Sequence, residues 1–377
     1  MTAVLGECLP VAVIGVGGFG ARIVEAVRQS ELVKLAGVAD KDPAAAEQAQ
    51  RDAGAPAYTD NRSLLAETRP RAVFLATPPA AAPDLVAACA ERGIHVWKEP
   101  PLARNLAEGV AMVRRMDEAG LKFAVGTQRR FAPGYRRARE LCPELGEVFL
   151  GRAHYLFNWG PDLRWRGDRN AAGGGALIEL GYHPIDLLVW MLGLPEEVYG
   201  ISAISAGDPR RSAEPARPPY DTDDTAAGLL RYRNGLMAAV VTTRCSGPVS
   251  EELSLHGRGG SLTATAETCL FRDPDGNVLE HAQDQPPPIE PFRRQVDAFA
   301  RAVLTGAERY ECSGWENLLN LAVIEGLYLS DRTSQPENLP DLLRPHGITP
   351  DECLQCRPID EPAPGPVEAP ESPPNSL

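Results

Sequence analysis

Between residues 10 and 125 the chain alternates short apolar runs with stretches whose apolar positions recur at helical spacing. Val11–Gly15, Lys34–Ala39, Ala72–Ala76, His95–Trp97 and Lys122–Gly126 read as strands. Arg22–Arg28, Ala44–Ala53, Asp84–Arg92 and Ala107–Ala119 read as the helices between them. Strands separated by helices need crossover connections, so this half predicts a doubly wound parallel sheet of the α/β class, covered on both faces. After residue 145 the pattern changes. Val148–Phe157, Val198–Ala206, Thr225–Arg233, Leu236–Thr243, Glu252–His256 and Gly260–Thr265 are strand-like with few helices between. Such a run predicts an α+β unit with an open, mainly antiparallel sheet. One helix, Ala176–Leu192, interrupts it, and two amphipathic helices follow, Phe292–Leu304 and Asn317–Ser330. Residues 207–219 read as a loop within this sheet. From Pro336 the chain turns proline-rich and acidic, which predicts a disordered tail. The expected division is an α/β domain over 1–127, an α+β domain over 128–335 and a tail over 336–377.

Length and charge narrow the function. A chain of 377 residues is long enough for two cores. The net charge of −13 leaves nothing to neutralise phosphates, so it argues against nucleic acid and against an anionic membrane surface. The N-terminus has no basic segment before its apolar run, and no apolar helix candidate is long enough to span a bilayer. Eight scattered cysteines suit a reducing compartment, so the expected location is the cytoplasm. Cys353 and Cys356 form a CxxC with no second pair nearby, which reads as two thiols in a tail rather than a zinc site. No metal site is expected.

The segment VAVIGVGGFG gives the candidate chemistry its first anchor. It sets Gly15, Gly17 and Gly20 at G-x-G-x-x-G spacing, with Gly18 and Phe19 between, after a strand and before a helix. Glycines there permit a tight turn, close approach to a pyrophosphate and close helix packing. The helix N-terminus then faces the phosphates. Asp40 ends the second strand about 20 positions on, where a carboxylate accepts the ribose hydroxyls of NAD and repels the 2′-phosphate of NADP. Lys41 beside it blunts that preference. Thr77 and Pro78 of the ATPP turn, Glu99 and Gln128 all follow strands, and ligands of such sheets bind outside the carboxyl ends of strands.

The segment GGGALIELGYHPID carries a second cluster. Glu179 and His183 are four residues apart and share a face of the expected helix. His183 is the natural proton acceptor near neutral pH, and Glu179 one turn away could orient it. Asp186 lies within side-chain reach, and Pro184 is placed to bend the helix just beyond the histidine.

Taken in order, the glycine loop, the HVWKEPPLAR stretch at 95–104 and the GGGxxxExGxHxxD helix resemble the Gfo/Idh/MocA oxidoreductases. The later segments DTAAGLLRYRNG, LSLHGRGGSL and VDAFARAV fit the same family, so the resemblance runs from about residue 10 to 332. It implies an N-terminal Rossmann domain, a C-terminal domain with an open antiparallel sheet, and homodimers or homotetramers that pair these sheets. It also implies hydride transfer between NAD (NADP less favoured) and a sugar- or cyclitol-like polyol or ketone. The family pattern has a lysine near the nicotinamide where this chain has Pro100. Ala82 stands where a histidine is frequent, and Glu179 where aspartate is usual. With the motif lysine absent, two expectations stand. One is a working but slow enzyme in which Lys98, with a long side chain two residues before Pro100, reaches the site. The other is a catalytically impaired pseudo-oxidoreductase that binds NAD or a sugar in a regulatory or scaffold role. By resemblance Arg129, Trp165 and Arg166 lie near the substrate, and Asp186 is added to them. Trp159 either stacks on a sugar face or serves the core.

Overall fold

The structure is a computed structural model that describes residues 8–204 and 220–354. The strands of the first half are β1 Leu9–Ile14, β2 Val33–Ala39, β3 Ala57–Tyr58, β4 Ala72–Leu75, β5 His95–Lys98 and β6 Phe123–Val125. They form one sheet in the order β3-β2-β1-β4-β5-β6, and every pair in it is parallel. β4 is buried at all four positions, as a strand covered on both faces must be. The helices are α1 Phe19–Gln29, α2 Pro43–Ala53, α3 Asn61–Thr68, α4 Ala82–Ala90 and α5 Leu106–Glu118. The strand order reverses between β1 and β4, which opens a crevice at their carboxyl ends. β3 and α3 are additions to the sequence expectation. A two-residue strand shows no periodicity, and α3 is marked chiefly by its cap, where Asp60 accepts from the Ser63 N–H at 2.9 Å.

After α6 Pro133–Leu141 the second sheet begins with β7 Val148–Asn158. Its other strands are β8 Glu197–Ala203, β9 Thr225–Arg231, β10 Met237–Thr243, β11 Cys245–Gly257, β12 Gly260–Ala264, β13 Thr268–Arg272, β14 Val278–Gln283 and β15 Glu337–Asn338. The order is β14-β13-β12-β11-β7-β10-β9-β8-β15, with β7 and β10 parallel and the other pairs antiparallel. The fold is thus the expected one, a Rossmann-type sheet beside an open, mainly antiparallel sheet.

Three expectations change. The helix expected over Ala176–Leu192 is two helices. α7 Arg169–Ala172 precedes α8 Ala176–Glu179, and after Leu180 and Gly181 the chain restarts as α9 Tyr182–Leu192. Pro184 falls in the first turn of α9, where its missing N–H costs no helical bond, so the break precedes the histidine. Next, α10 Glu290–Thr305 does not stay with the second sheet. Phe292, Val296 and Phe299 join Val11, Val13 and Phe74 in the core of the first sheet. α11 Gly314–Thr333 is buried on most of its surface and packs against α5, α9 and β8, tying the two sheets together. Finally, the tail expected from Pro336 is folded as far as Leu354. β15 pairs with β8, and α12 Leu339–Leu343 and α13 Pro350–Cys353 follow. Leu339, Leu343, Ile348 and Cys353 are buried, and this burial offsets the ordering cost that the overall composition concealed. Residues 355–377, including Cys356 of the CxxC, and the whole of the 207–219 loop expectation lie outside the described residues. Among the described residues no helix is long and apolar enough to cross a membrane.

Candidate active site

The glycine loop follows β1 and opens α1. Gly15 has φ +84°, and a Cβ there would come within 2.5 Å of the Ala76 carbonyl oxygen. A Cβ on Gly20 would come within 1.9 Å of the Gly15 oxygen. The turn therefore requires both glycines. Gly18, at φ +46°, precedes α1, whose N-terminus has no side chain capping it and none of its own acids in the first turn. That end is open to an anion. Asp40 reaches back over the loop and accepts from Val16 N–H at 2.9 Å and Gly17 N–H at 3.2 Å. Phe19 packs edge-on against Phe292, with ring centroids 5.4 Å apart.

A cavity lies below the loop, at the carboxyl ends of β4 and β5. Phe19, Thr77, Glu99, Pro100, Gln128, Arg129, Trp165, Arg166, Glu179 and His183 are among the residues that line it. Pro78 only leads into the turn that starts α4 and is not on the wall. Ala82 is buried at the start of α4. The Thr77 hydroxyl, one Glu99 oxygen and His183 Nδ1 are all buried without a hydrogen-bond partner. Polar atoms left so at a cavity wall are suited to a ligand. Burial pushes the Glu99 carboxyl up to about 8, against the pull of the Lys98 and Arg129 charges. Gly126 makes room for it: a Cβ there would come within 2.9 Å of Glu99 Oε2.

Lys98 is not where the sequence expectation put it. Its side chain is 1% exposed and absent from the cavity wall. Nζ donates to the carbonyls of Glu99 at 2.9 Å and Pro101 at 2.5 Å, holding the KEPP turn from within. Burial also draws its ammonium down to about 7.

Glu179 does not orient His183. α8 ends at Glu179 and the chain restarts as α9, and Glu179 forms an ion pair with Arg166, with Arg244 Nη1 3.8 Å away. Arg166 in turn lies over Trp159 at 4.1 Å and Trp165 at 4.4 Å. Trp159 is thus part of this wall. Burial raises the Glu179 carboxyl pKa, against the pull of Arg166. α8 is fixed by Asp223, which accepts from Gly175 N–H at 2.8 Å and Leu177 N–H at 2.9 Å. Burial, helped by the Arg129 charge, keeps His183 far below the usual histidine range, so the imidazole is neutral.

Asp186 is also displaced from its expected role. It is fully buried away from the cavity, accepting from Arg130 Nη2 at 2.6 Å, Arg130 Nε at 2.9 Å and Asn320 at 2.7 Å. Glu316 completes the cluster at 3.1 Å from Arg130. Arg129, by contrast, lines the cavity and is gripped by Glu251 through two bonds of 2.9 Å. Tyr155 and Glu251 gave no sequence signal. Tyr155 and Glu251 are neighbours only because β7 pairs with β11, and that pairing was not legible along the chain.

Residues 9–127 match the model of an oxidoreductase family with an NAD-binding Rossmann fold, and residues 135–263 that of the GFO/IDH/MocA C-terminal domain. The chain belongs to the Gfo/Idh/MocA family. A curated relative, D-xylose 1-dehydrogenase (NADP(+)) 2 of Haloferax volcanii, is 29% identical over 335 residues, 85% of this chain and 97% of that protein. An oxidoreductase domain protein of Kribbella flavida has a solved structure with TM-score 0.81 and 26% identity, covering 89% of this chain and all of that one. A levoglucosan dehydrogenase in complex with NADH has TM-score 0.82 at 22% identity, covering 89% and 100% of the two chains, and supports the fold. As a Gfo/Idh/MocA protein this chain is an NAD(P)-binding oxidoreductase of a family whose relatives act on CH–OH groups of sugars and inositols.

Proposed function

We propose that this protein oxidises a secondary hydroxyl of a sugar- or cyclitol-like polyol, or reduces the matching ketone, with NAD preferred over NADP. The observation that carries the reading is His183: neutral, unpartnered at Nδ1, and on the wall of a cavity directly below the glycine loop. The residues present fit a dinucleotide. Gly15–Gly20 and the open end of α1 hold the pyrophosphate, Asp40 takes the adenosine ribose hydroxyls, and Thr77 and Glu99 supply hydrogen bonds further along. When bound, the nicotinamide supplies the hydride acceptor. His183 accepts the hydroxyl proton as the alcohol becomes a ketone. Trp159 and Trp165 offer an apolar face to the C–H side of the ring, with Arg166 held between them by Glu179. Titration with NADH and NADPH, followed by turnover on a panel of polyols with NAD, tests the reading. Tighter NADH binding and an activity lost in His183→Asn are expected; a protein that binds neither nucleotide would overturn it.

The relatives named as sugar dehydrogenases support the substrate class. Eight cysteines scattered along the chain suit a reducing compartment, which supports action in the cytoplasm. A homodimer or homotetramer through the second sheet belongs to the same proposal. The face of that sheet turned away from α9 and α11 exposes Tyr199, Ile201, Leu229, Met237 and Val241. Tyr199 pairs with Leu229, and Ile201 and Val241 both pair with Ala227, so the residues are contiguous. An apolar row of this kind is suited to a second copy. Leu229→Glu should lower the oligomeric state in size-exclusion chromatography.

A further inference from the structure

His183 accounts for one proton of the reaction, but the oxygen that loses it needs a second partner. Negative charge builds on that oxygen as the hydride leaves, and a preorganised donor there is a large part of catalysis in such sites. Few groups on the wall can serve once Thr77 and Glu99 are given to the dinucleotide and Arg129 to Glu251. Pro100 and Pro101 have no hydrogen to give. Lys98 donates to backbone carbonyls behind the wall. Arg166 is committed to Glu179 between two indoles. Tyr155 remains. It lines the cavity and meets the His183 ring edge-on, with centroids 6.0 Å apart and planes at 64°.

Tyr155 is also held in place from behind. It lies on β7 directly opposite Glu251 on β11. Glu251 grips Arg129 through Nε and Nη2, each at 2.9 Å. The Arg129 guanidinium is thereby fixed 5.1 Å over the Tyr155 ring. A cation at that place increases the acidity of the phenol as a hydrogen-bond donor. Burial acts the other way and raises the Tyr155 pKa, so the phenol keeps its proton at neutral pH.

We infer that Tyr155 is a catalytic residue: its hydroxyl donates a hydrogen bond to the substrate oxygen that His183 deprotonates, with Arg129 and Glu251 as positioning residues behind it. This rests on the dehydrogenase reading above. In the oxidation the C–H bond gives its hydride to the nicotinamide and the O–H proton goes to His183. The Tyr155 proton stays on Tyr155 throughout, bridging to the oxygen as it passes from hydroxyl to carbonyl. In the reduction the same bond polarises the carbonyl before hydride arrives.

The test is turnover of wild type, Tyr155→Phe, Glu251→Gln and the double variant on whichever polyol the wild type oxidises fastest with NAD. NADH affinity and thermal melting are measured alongside. Tyr155→Phe removes one oxygen and fills the same space. It should lower kcat about a hundredfold, with NADH affinity and melting temperature unchanged. Glu251→Gln should lower kcat less, and the double variant should be no slower than Tyr155→Phe alone, because the Arg129 cation acts through the phenol. Tyr155→Phe turning over at the wild-type rate while His183→Asn is inactive would overturn the assignment and leave the dehydrogenase reading standing. A wild type that binds NADH and oxidises no polyol would overturn both.

Discussion

Glu179 and His183, four residues apart, do not touch functionally: Glu179 closes on Arg166 while His183 Nδ1 has no partner. A helix break of two residues separates them. Glu179→Gln should therefore raise KM for the polyol, by loosening Arg166 between Trp159 and Trp165. It should leave the pH midpoint of kcat in place. A shifted midpoint would mean that the carboxylate does tune the histidine.

Lys98 holds two carbonyls inside the KEPP turn. Lys98→Met leaves both without a donor, at a cost of about 1–3 kcal/mol. Urea unfolding should show that loss. Turnover per folded molecule should fall far less than in His183→Asn.

Asp186 and Arg130 are a buried pair, 0% and 1% exposed. Removing one partner strands the other charge in the core, so Asp186→Ala should cost about 3–5 kcal/mol. The polyol KM of the folded fraction should not change. A raised KM at unchanged stability would return Asp186 to the substrate site.

On the proposed reading Asp40 would select the dinucleotide. Asp40→Ser would then remove the carboxylate meant for the ribose and the charge that would repel a 2′-phosphate. NADH affinity should fall about tenfold, the loss of one charge-assisted bond, and NADPH affinity should rise. Fluorescence titration reads both. Equal losses for the two nucleotides would say that Asp40 only braces Val16 and Gly17.

His95 gives the fold an acid limit. It is half-buried and accepts at Nδ1 from the Lys122 N–H at 2.9 Å. Burial, then the charges of Arg71 and Lys122, draw its pKa down to about 4. Unfolded, it titrates near 6.5. Between these values the unfolded chain binds a proton that the folded one does not, so stability falls as pH drops through that window. His95→Gln, which can still accept from Lys122, should flatten this part of the curve in urea melts at pH 4 to 7.

The elements and the glycine loop were legible along the chain. The strand–glycine–helix order and the acid at Asp40 are local, because backbone conformation and a short apolar period decide them, and the parallel sheet follows from crossovers. The change to an antiparallel sheet after residue 145 is equally local. Tertiary structure decided which side chains meet. One face-sharing rule placed Glu179 beside His183, yet two residues without helix, followed by Pro184 in a new first turn, left Glu179 paired with Arg166 and His183 Nδ1 without a partner. Lys98 and Asp186 carry the charges that chemistry wants, but burial and available carbonyls or guanidinium turned them inward. Tyr155 and Glu251 meet through the pairing of β7 with β11, and Arg129 joins them from the turn after β6. The folded end to Leu354 was hidden for a related reason. Composition averaged over the tail is polar, whereas Leu339 and Leu343 gain their burial only against a surface that the rest of the chain provides.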